Sequence, residues 1–215
     1  MKLVKILSVL LLIYTAAAGI LLDVPRLPIL NETIRVLYFH VPMWFTMIFL
    51  LLLSSVNAYK FISTKNIKYD LISYNYAHVG VYFGVLGIVT GMIWANYTWG
   101  TFWTNDPKLN GSAVGLLIYF GYFVLRNSIE DESKKAKVSS VYSVFAFSML
   151  IPLIFILPRL TDSLHPGNGG NPGFNVYDLN SQLRLVFYPA VIGFICLGLW
   201  IANIKFKLLK LTDKR

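Results

Sequence analysis

Hydrophobic residues along this chain gather into six long runs instead of recurring every three or four positions as on a soluble helix. The runs cover approximately residues 3–22, 35–58, 71–95, 111–128, 139–158 and 183–204. Each reaches roughly the 20 residues that an α-helix needs to cross the hydrocarbon of a bilayer. None alternates as a barrel strand does, and backbone groups in lipid must pair within their own segment, so the pattern predicts helices. The expected fold is an all-α polytopic membrane protein, a single domain over residues 1–215 with six transmembrane helices. The first run starts on Lys2 and Lys5 and ends in Ala16-Ala17-Ala18-Gly19, in the manner of a cleavable signal. Its apolar stretch exceeds a usual signal core, so it is read as a retained span.

The polar connections set the orientation. Lys and Arg number two at the amino terminus, three in 59–70, four in 126–138 and five in the carboxyl tail. The opposite connections carry only Arg26, Arg35, Lys108, Arg159 and Arg184. Positive charge accumulates on the cytoplasmic side, so both termini are expected inside, with 23–34, 96–110 and 159–182 facing outward. This distribution also explains the net charge of +9 without a nucleic-acid partner. Cys196 is the single cysteine, which excludes an internal disulfide or a C-x-x-C redox pair. Gly80, Gly84, Gly87 and Gly91 form a small-residue stripe on one face of the third span, and Gly111 and Gly115 resemble it on the fourth; both are read as packing signals.

Candidate chemistry lies on the outer side. Trp99-Gly-Thr-Phe102-Trp103-Thr-Asn-Asp106-Pro-Lys108-Leu109 sets flat aromatic faces beside fixed polar groups, and Trp94 lies just before it. The pattern suits either an interfacial aromatic belt or a shelf for a large planar ligand. His40 enters the second span about five residues deep, roughly 7 Å at the helical rise, whereas His78 lies about 10 Å from the inner face. Their heights then differ by over 10 Å, too far for two imidazoles whose nitrogens would sit about 4 Å apart on one metal. His40 and His165 share the outer level. His40 is a metal ligand or a hydrogen-bond partner to a neighbouring helix, and His165 is a ligand or a solvated loop residue. His78 is read as a helix–helix contact with Asn75 or Tyr82. The 161–175 stretch, rich in glycine, asparagine and proline, is an ordinary loop or a mobile arm that carries His165.

Three segments resemble one family. Arg35-Val-Leu-Tyr38-Phe-His40-Val-Pro42-Met-Trp44 is similar to the entry of the second span in the CcmC family of bacterial cytochrome c maturation. Gly91 to Leu109 resembles the tryptophan-rich WWD signature of that family, and Thr161-Asp-Ser-Leu-His165 resembles its N-T-L-H segment. Phe102 and Asn105 stand where the signature commonly has tryptophan, and Lys108 where it has arginine.

The resemblance implies a non-enzymatic protein that binds haem b transiently at the outer face of the bacterial inner membrane. It implies His40 and His165 as axial iron ligands, and Trp94, Trp99, Phe102 and Trp103 as the stacking surface. Arg35, Lys108 and Arg184 are the candidate cations for the propionates, while Asp106 is placed in the site as the group that fixes the loop. Delivery would be to a periplasmic haem chaperone, CcmE, with CcmA, CcmB and the small subunit CcmD as further partners. The chain has no G-x-x-x-x-G-K-[ST] phosphate loop, so energy from ATP would come from such a partner. Competing readings are a membrane b-type cytochrome, a small transporter with an aromatic gate and a CcsA-like haem–cytochrome synthetase.

Overall fold

A computed structural model describes residues 1–26, 30–161, 163–165 and 179–212, apart from the side chains of 210 and 212. Seven α-helices run in chain order among the described residues: α1 Lys2–Leu21, α2 Leu37–Thr64, α3 Ile67–Trp99, α4 Pro107–Asn127, α5 Glu132–Ile151, α6 Leu157–Leu160 and α7 Ser181–Thr212. A 3₁₀ segment, Asn31–Val36, leads into α2, and a π-helical turn, Pro152–Ile156, joins α5 to α6. Six segments are long and apolar enough to cross a membrane, in agreement with the six hydrophobic runs.

Several helices outlast their apolar runs because polar chemistry, not hydropathy, ends them. The Asn66 side chain accepts from the Lys68 amide at the start of α3, and Gly100 closes that helix at φ +75°, a left-handed value that favours glycine. The Asp106 carboxylate caps α4 by accepting from the amides of Lys108 and Leu109. Pro107 follows it at the first helical position, where a missing N–H costs nothing. Pro152 has no amide to give at the end of α5, and the Leu157 amide reaches back five residues to its carbonyl, which makes the π turn.

Helix α2 is central and packs against α3, α5 and α7. Helix α1 lies antiparallel on α7, with the Ser8 hydroxyl 3.4 Å from the Gly193 carbonyl and the Tyr14 hydroxyl 3.2 Å from that of Leu185. The rest of its surface is apolar and exposed, including Leu3, Leu10, Ile13 and Leu21, as a lipid-facing span requires.

The α2–α3 seam carries the glycine stripe. A Cβ built on Gly80 would meet Leu51, one on Gly84 would meet Met47, one on Gly87 would meet Trp44, and one on Gly91 would meet His40. The two antiparallel helices therefore advance in step, four, three and four residues at a time. At the end bearing the termini, Arg126 of α4 holds Asp70 of α3 through two bonds of 2.8 and 2.7 Å, both side chains buried. The Arg126 guanidinium also lies 4.7 Å from the centre of the Tyr74 ring.

Candidate functional site at the end of the bundle opposite the termini

A cavity opens at the end of the bundle opposite the termini, between α2, α3, the start of α4 and the π turn. His40, Trp44, Trp94, Lys108, Ile154 and His165 line it, with Gly87 and Gly91 as its floor on α3. His40 and His165 thus face one space although 125 positions separate them in the chain.

Each histidine is held through the same ring nitrogen. His40 Nδ1 lies 3.0 Å from Thr90 Oγ1. The Thr90 hydroxyl has carbonyl acceptors of its own at Leu86, 2.8 Å, and Gly87, 3.1 Å, so its oxygen is left to accept from the imidazole. His165 Nδ1 lies 2.9 Å from Asp106 Oδ1. In either ring a proton placed on Nδ1 satisfies the acceptor and leaves the Nε2 lone pair for a metal.

Asp106 organises the second half of this pair. Its Oδ1 accepts from the amides of Lys108 at 2.8 Å and Leu109 at 3.3 Å, besides the His165 ring. Its Oδ2 accepts from the Ser163 hydroxyl and the Leu164 amide, both at 2.8 Å. One carboxylate, 2% exposed, therefore caps α4 and clasps residues 163–165 onto it. Burial alone would raise its pKa. The hydrogen bond from His165, joined by those from Ser163 and Leu164, outweighs burial and holds the carboxyl well below the usual carboxylate range.

The aromatic residues divide into two groups. Trp94 is buried and lines the cavity, and its ring centre lies 5.6 Å from that of Trp99 and 6.4 Å from that of His165. Trp99 meets the His165 ring edge-on at 5.0 Å. Phe102 and Trp103 stand outside the cavity lining, 53% and 40% exposed. Of the candidate cations, Lys108 lines the cavity. Arg35 is drawn away from it: its guanidinium donates to the carbonyls of Gly19 at 2.6 Å and Leu22 at 2.8 Å and pairs with Glu32. Arg184 donates to the Leu179 carbonyl at 2.8 Å and does not line the cavity. Of the 161–175 loop, residues 162 and 166–175 lie outside the described residues.

His78 lies apart, near the middle of α3. Its ring meets Tyr82, Phe123 and Tyr74 edge-on at 5.0, 5.1 and 5.5 Å. Its buried Nδ1 has no hydrogen-bond partner among the described residues. Of the two contacts expected for it, that with Tyr82 is made, while the Asn75 amide donates to the Ala202 carbonyl of α7 at 2.7 Å.

Sequence reasoning did not single out Thr90, Ser163 or the cavity role of Trp44, and it gave the glycine stripe no part in the site. A signal for the first existed: Thr90 is a polar residue beside Gly91 on the face that meets the His40 turn.

These features define a class: a helical membrane protein that presents two imidazoles and buried indole in one cleft at a bundle end. Residues 1–214 match the heme exporter protein C family, CcmC, and the chain belongs to that family. It is 26% identical over 145 residues to heme exporter protein C of Haemophilus influenzae, covering 65% of this chain and 56% of that one. It is 29% identical over 120 residues to heme exporter protein C of Paracoccus denitrificans, covering 54% and 50%. A shorter match, 40% over 65 residues, covers 30% of this chain and 21% of the cytochrome c biogenesis protein CcsA of Prochlorococcus marinus. The chain spans about half the length of the curated relatives it matches.

Proposed function

We propose that this protein holds haem at the outer end of its helix bundle and delivers it for cytochrome c maturation. The observation that carries the reading is the shared cleft: His40 and His165 both line it, and each has its Nδ1 engaged by an acceptor. The fit extends to the walls. Trp44 and Trp94 supply aromatic faces for a porphyrin edge, Ile154 supplies apolar surface, and Lys108 supplies a cation for a propionate. Haem is cargo here, and two neutral imidazoles are a standard axial set for its iron.

The chain's own residues have separable tasks. Thr90 orients His40 from a packed helix face. Asp106 orients His165 from a helix cap, and its negative charge is kept off the propionates because protein donors surround it. Arg35 and Arg184 fasten the connections around the cleft through backbone carbonyls; Lys108 lines the cleft itself, and the propionate role is assigned to it on that ground. The exposed Phe102 and Trp103 form a rim suited to a docking protein, which we assign to the periplasmic haem chaperone CcmE. In this reading both termini are cytoplasmic, the cleft faces the periplasm from the bacterial inner membrane, and CcmA, CcmB and CcmD complete the assembly. The role is transport and assembly, not catalysis.

Absorption spectra of the purified protein test the reading. His40→Ala and His165→Ala should each lose most of the bound haem, the pair together nearly all, and His78→Ala should keep the parent spectrum. A doubly substituted His40→Ala/His165→Ala protein with the parent Soret band would refute axial ligation by this pair.

A further inference from the structure

We infer that Asp106 is a positioning residue that makes His165 the stronger donor of the two imidazoles, with His40 the weaker. The inference rests on the haem-binding reading and goes beyond it by ranking the two ligands. The histidines are held alike at Nδ1 but by acceptors of different kind. A carboxylate receives the proton of His165 at 2.9 Å, whereas a neutral hydroxyl already donating to the α3 backbone receives that of His40 at 3.0 Å. Charge-assisted hydrogen bonds are roughly twice as strong as neutral ones. A carboxylate on the far nitrogen also pushes electron density through the ring and raises the basicity of the ligating nitrogen. Thr90 gives its ring far less.

The surroundings fit an oriented carboxylate better than a simple helix cap. A cap needs one acceptor for the first amides of the helix, and Asp106 Oδ1 already serves those of Lys108 and Leu109. The second oxygen is devoted to the Ser163 hydroxyl and the Leu164 amide, the two residues before His165. The loop is thus gripped at backbone and side chain, and the ring stays in register with the charge. Trp99 meets the same ring edge-on at 5.0 Å. His165 is therefore an anchored ligand even though it sits beyond a helix end, and the ligand that yields first when haem leaves is His40.

Two measurements test this separately from haem binding. In ligand-free protein labelled with ¹⁵N-histidine, His165 should carry its proton on Nδ1; a proton on Nε2, or one shared between both nitrogens, overturns the assignment whatever haem does. In haem-loaded protein, Asp106→Asn keeps a capping side chain but removes the charge. It should lower the preference for ferric over ferrous iron at least tenfold, an upward shift of about 59 mV in a one-electron midpoint. Thr90→Val should shift the midpoint by less than half as much. Equal shifts in the two variants, or an unmoved midpoint in Asp106→Asn at parent haem content, overturn the ranking. If Asp106→Asn does not fold, the nitrogen assignment in the parent protein decides alone. A parent protein that takes up no haem defeats the functional reading instead, and leaves the tautomer result standing.

Discussion

The two ends of the α2–α3 seam are built by one device and finished differently. Toward the termini, Gly80 and Gly84 let α2 approach, and the space is filled by Leu51 and Met47. Toward the opposite end, Gly87 and Gly91 offer the same absence of side chain, and what moves in is Trp44 and His40. The first pair makes a closed core that includes Leu50, Val79 and Leu116. The second pair borders a cleft with polar atoms and indole in it. A repeated packing motif therefore ends in a closed core at one end and in an open cleft at the other, and the α2 residue opposite each glycine decides which. Polar groups follow the same division. Near the termini, Arg126 and Asp70 satisfy each other, and at the opposite end His40 and His165 are each held at Nδ1, by Thr90 and by Asp106.

If that division is real, the largest effect comes from the closed end and is one of stability alone. Arg126→Met leaves the Asp70 carboxylate buried without its partner, a change that costs about 3 kcal/mol or more. Chemical unfolding in mixed detergent should show a folding equilibrium weakened over a hundredfold, roughly what 3 kcal/mol means. Folded Arg126→Met protein should still take up haem with the parent spectrum. Asp70→Asn combined with Arg126→Met should recover part of the loss, since no unpaired charge remains. Parent-like stability in Arg126→Met would show that the pair does not hold α3 to α4.

The cleft end is probed next by Gly91→Ala. Its new Cβ would lie 2.7 Å from His40 Cε1, and the ring is rigid and bonded to Thr90, so it must rotate off that bond. Overpacking of this kind costs about 1–3 kcal/mol. Haem affinity should fall about tenfold or more, since 1.4 kcal/mol is a factor of ten, and the folding equilibrium should weaken by the same crowding less what alanine gains in mid-helix. Titration of haem into the purified variant reads this directly. Unchanged affinity would mean that the His40 ring is not held where haem needs it.

How much of this was legible in the sequence depends on the force involved. The six helices were, because lipid allows a polar-poor run of about 20 residues no other outcome. Their true ends were less so: Asn66, Gly100 and Asp106 end or start helices through hydrogen bonds and a left-handed φ that hydropathy does not record. Counting depth from span ends put His40 and His165 at one level and His78 at another, and the first two do line one cleft. The glycine stripe was visible, but not what it faces, because the register of α2 against α3 is set by the whole seam. Arg35 and Arg184 show the limit for cations. Whether such a side chain meets a ligand or a backbone carbonyl depends on how nearby helix ends are left, and here Gly19, Leu22 and Leu179 supply the acceptors. The Asp106-Pro107 pair could have been read as a cap with proline at the first helical position. Its grip on Ser163 and Leu164 depends on tertiary approach and has no local signature.

The smallest effect belongs to Gly80→Ala, and its sign turns on two opposed terms. Alanine in mid-helix gains roughly 0.5–1 kcal/mol over glycine because the unfolded chain has less freedom to lose. Against this, the new Cβ would lie 3.0 Å from Leu51 Cδ2, 3.1 Å from Leu51 Cγ and 3.4 Å from Leu50 Cβ. The nearer atom is the tip of a flexible side chain that can turn aside, so the crowding is milder than at Gly91, where a bonded ring stands in the way. The two terms are of similar size, so stability should stay within about 1 kcal/mol of the parent. Haem affinity should stay within about twofold, under 0.5 kcal/mol. A loss of haem binding in Gly80→Ala as large as in Gly91→Ala would show that the seam moves as one rigid unit, and that its two ends cannot be assigned separate tasks.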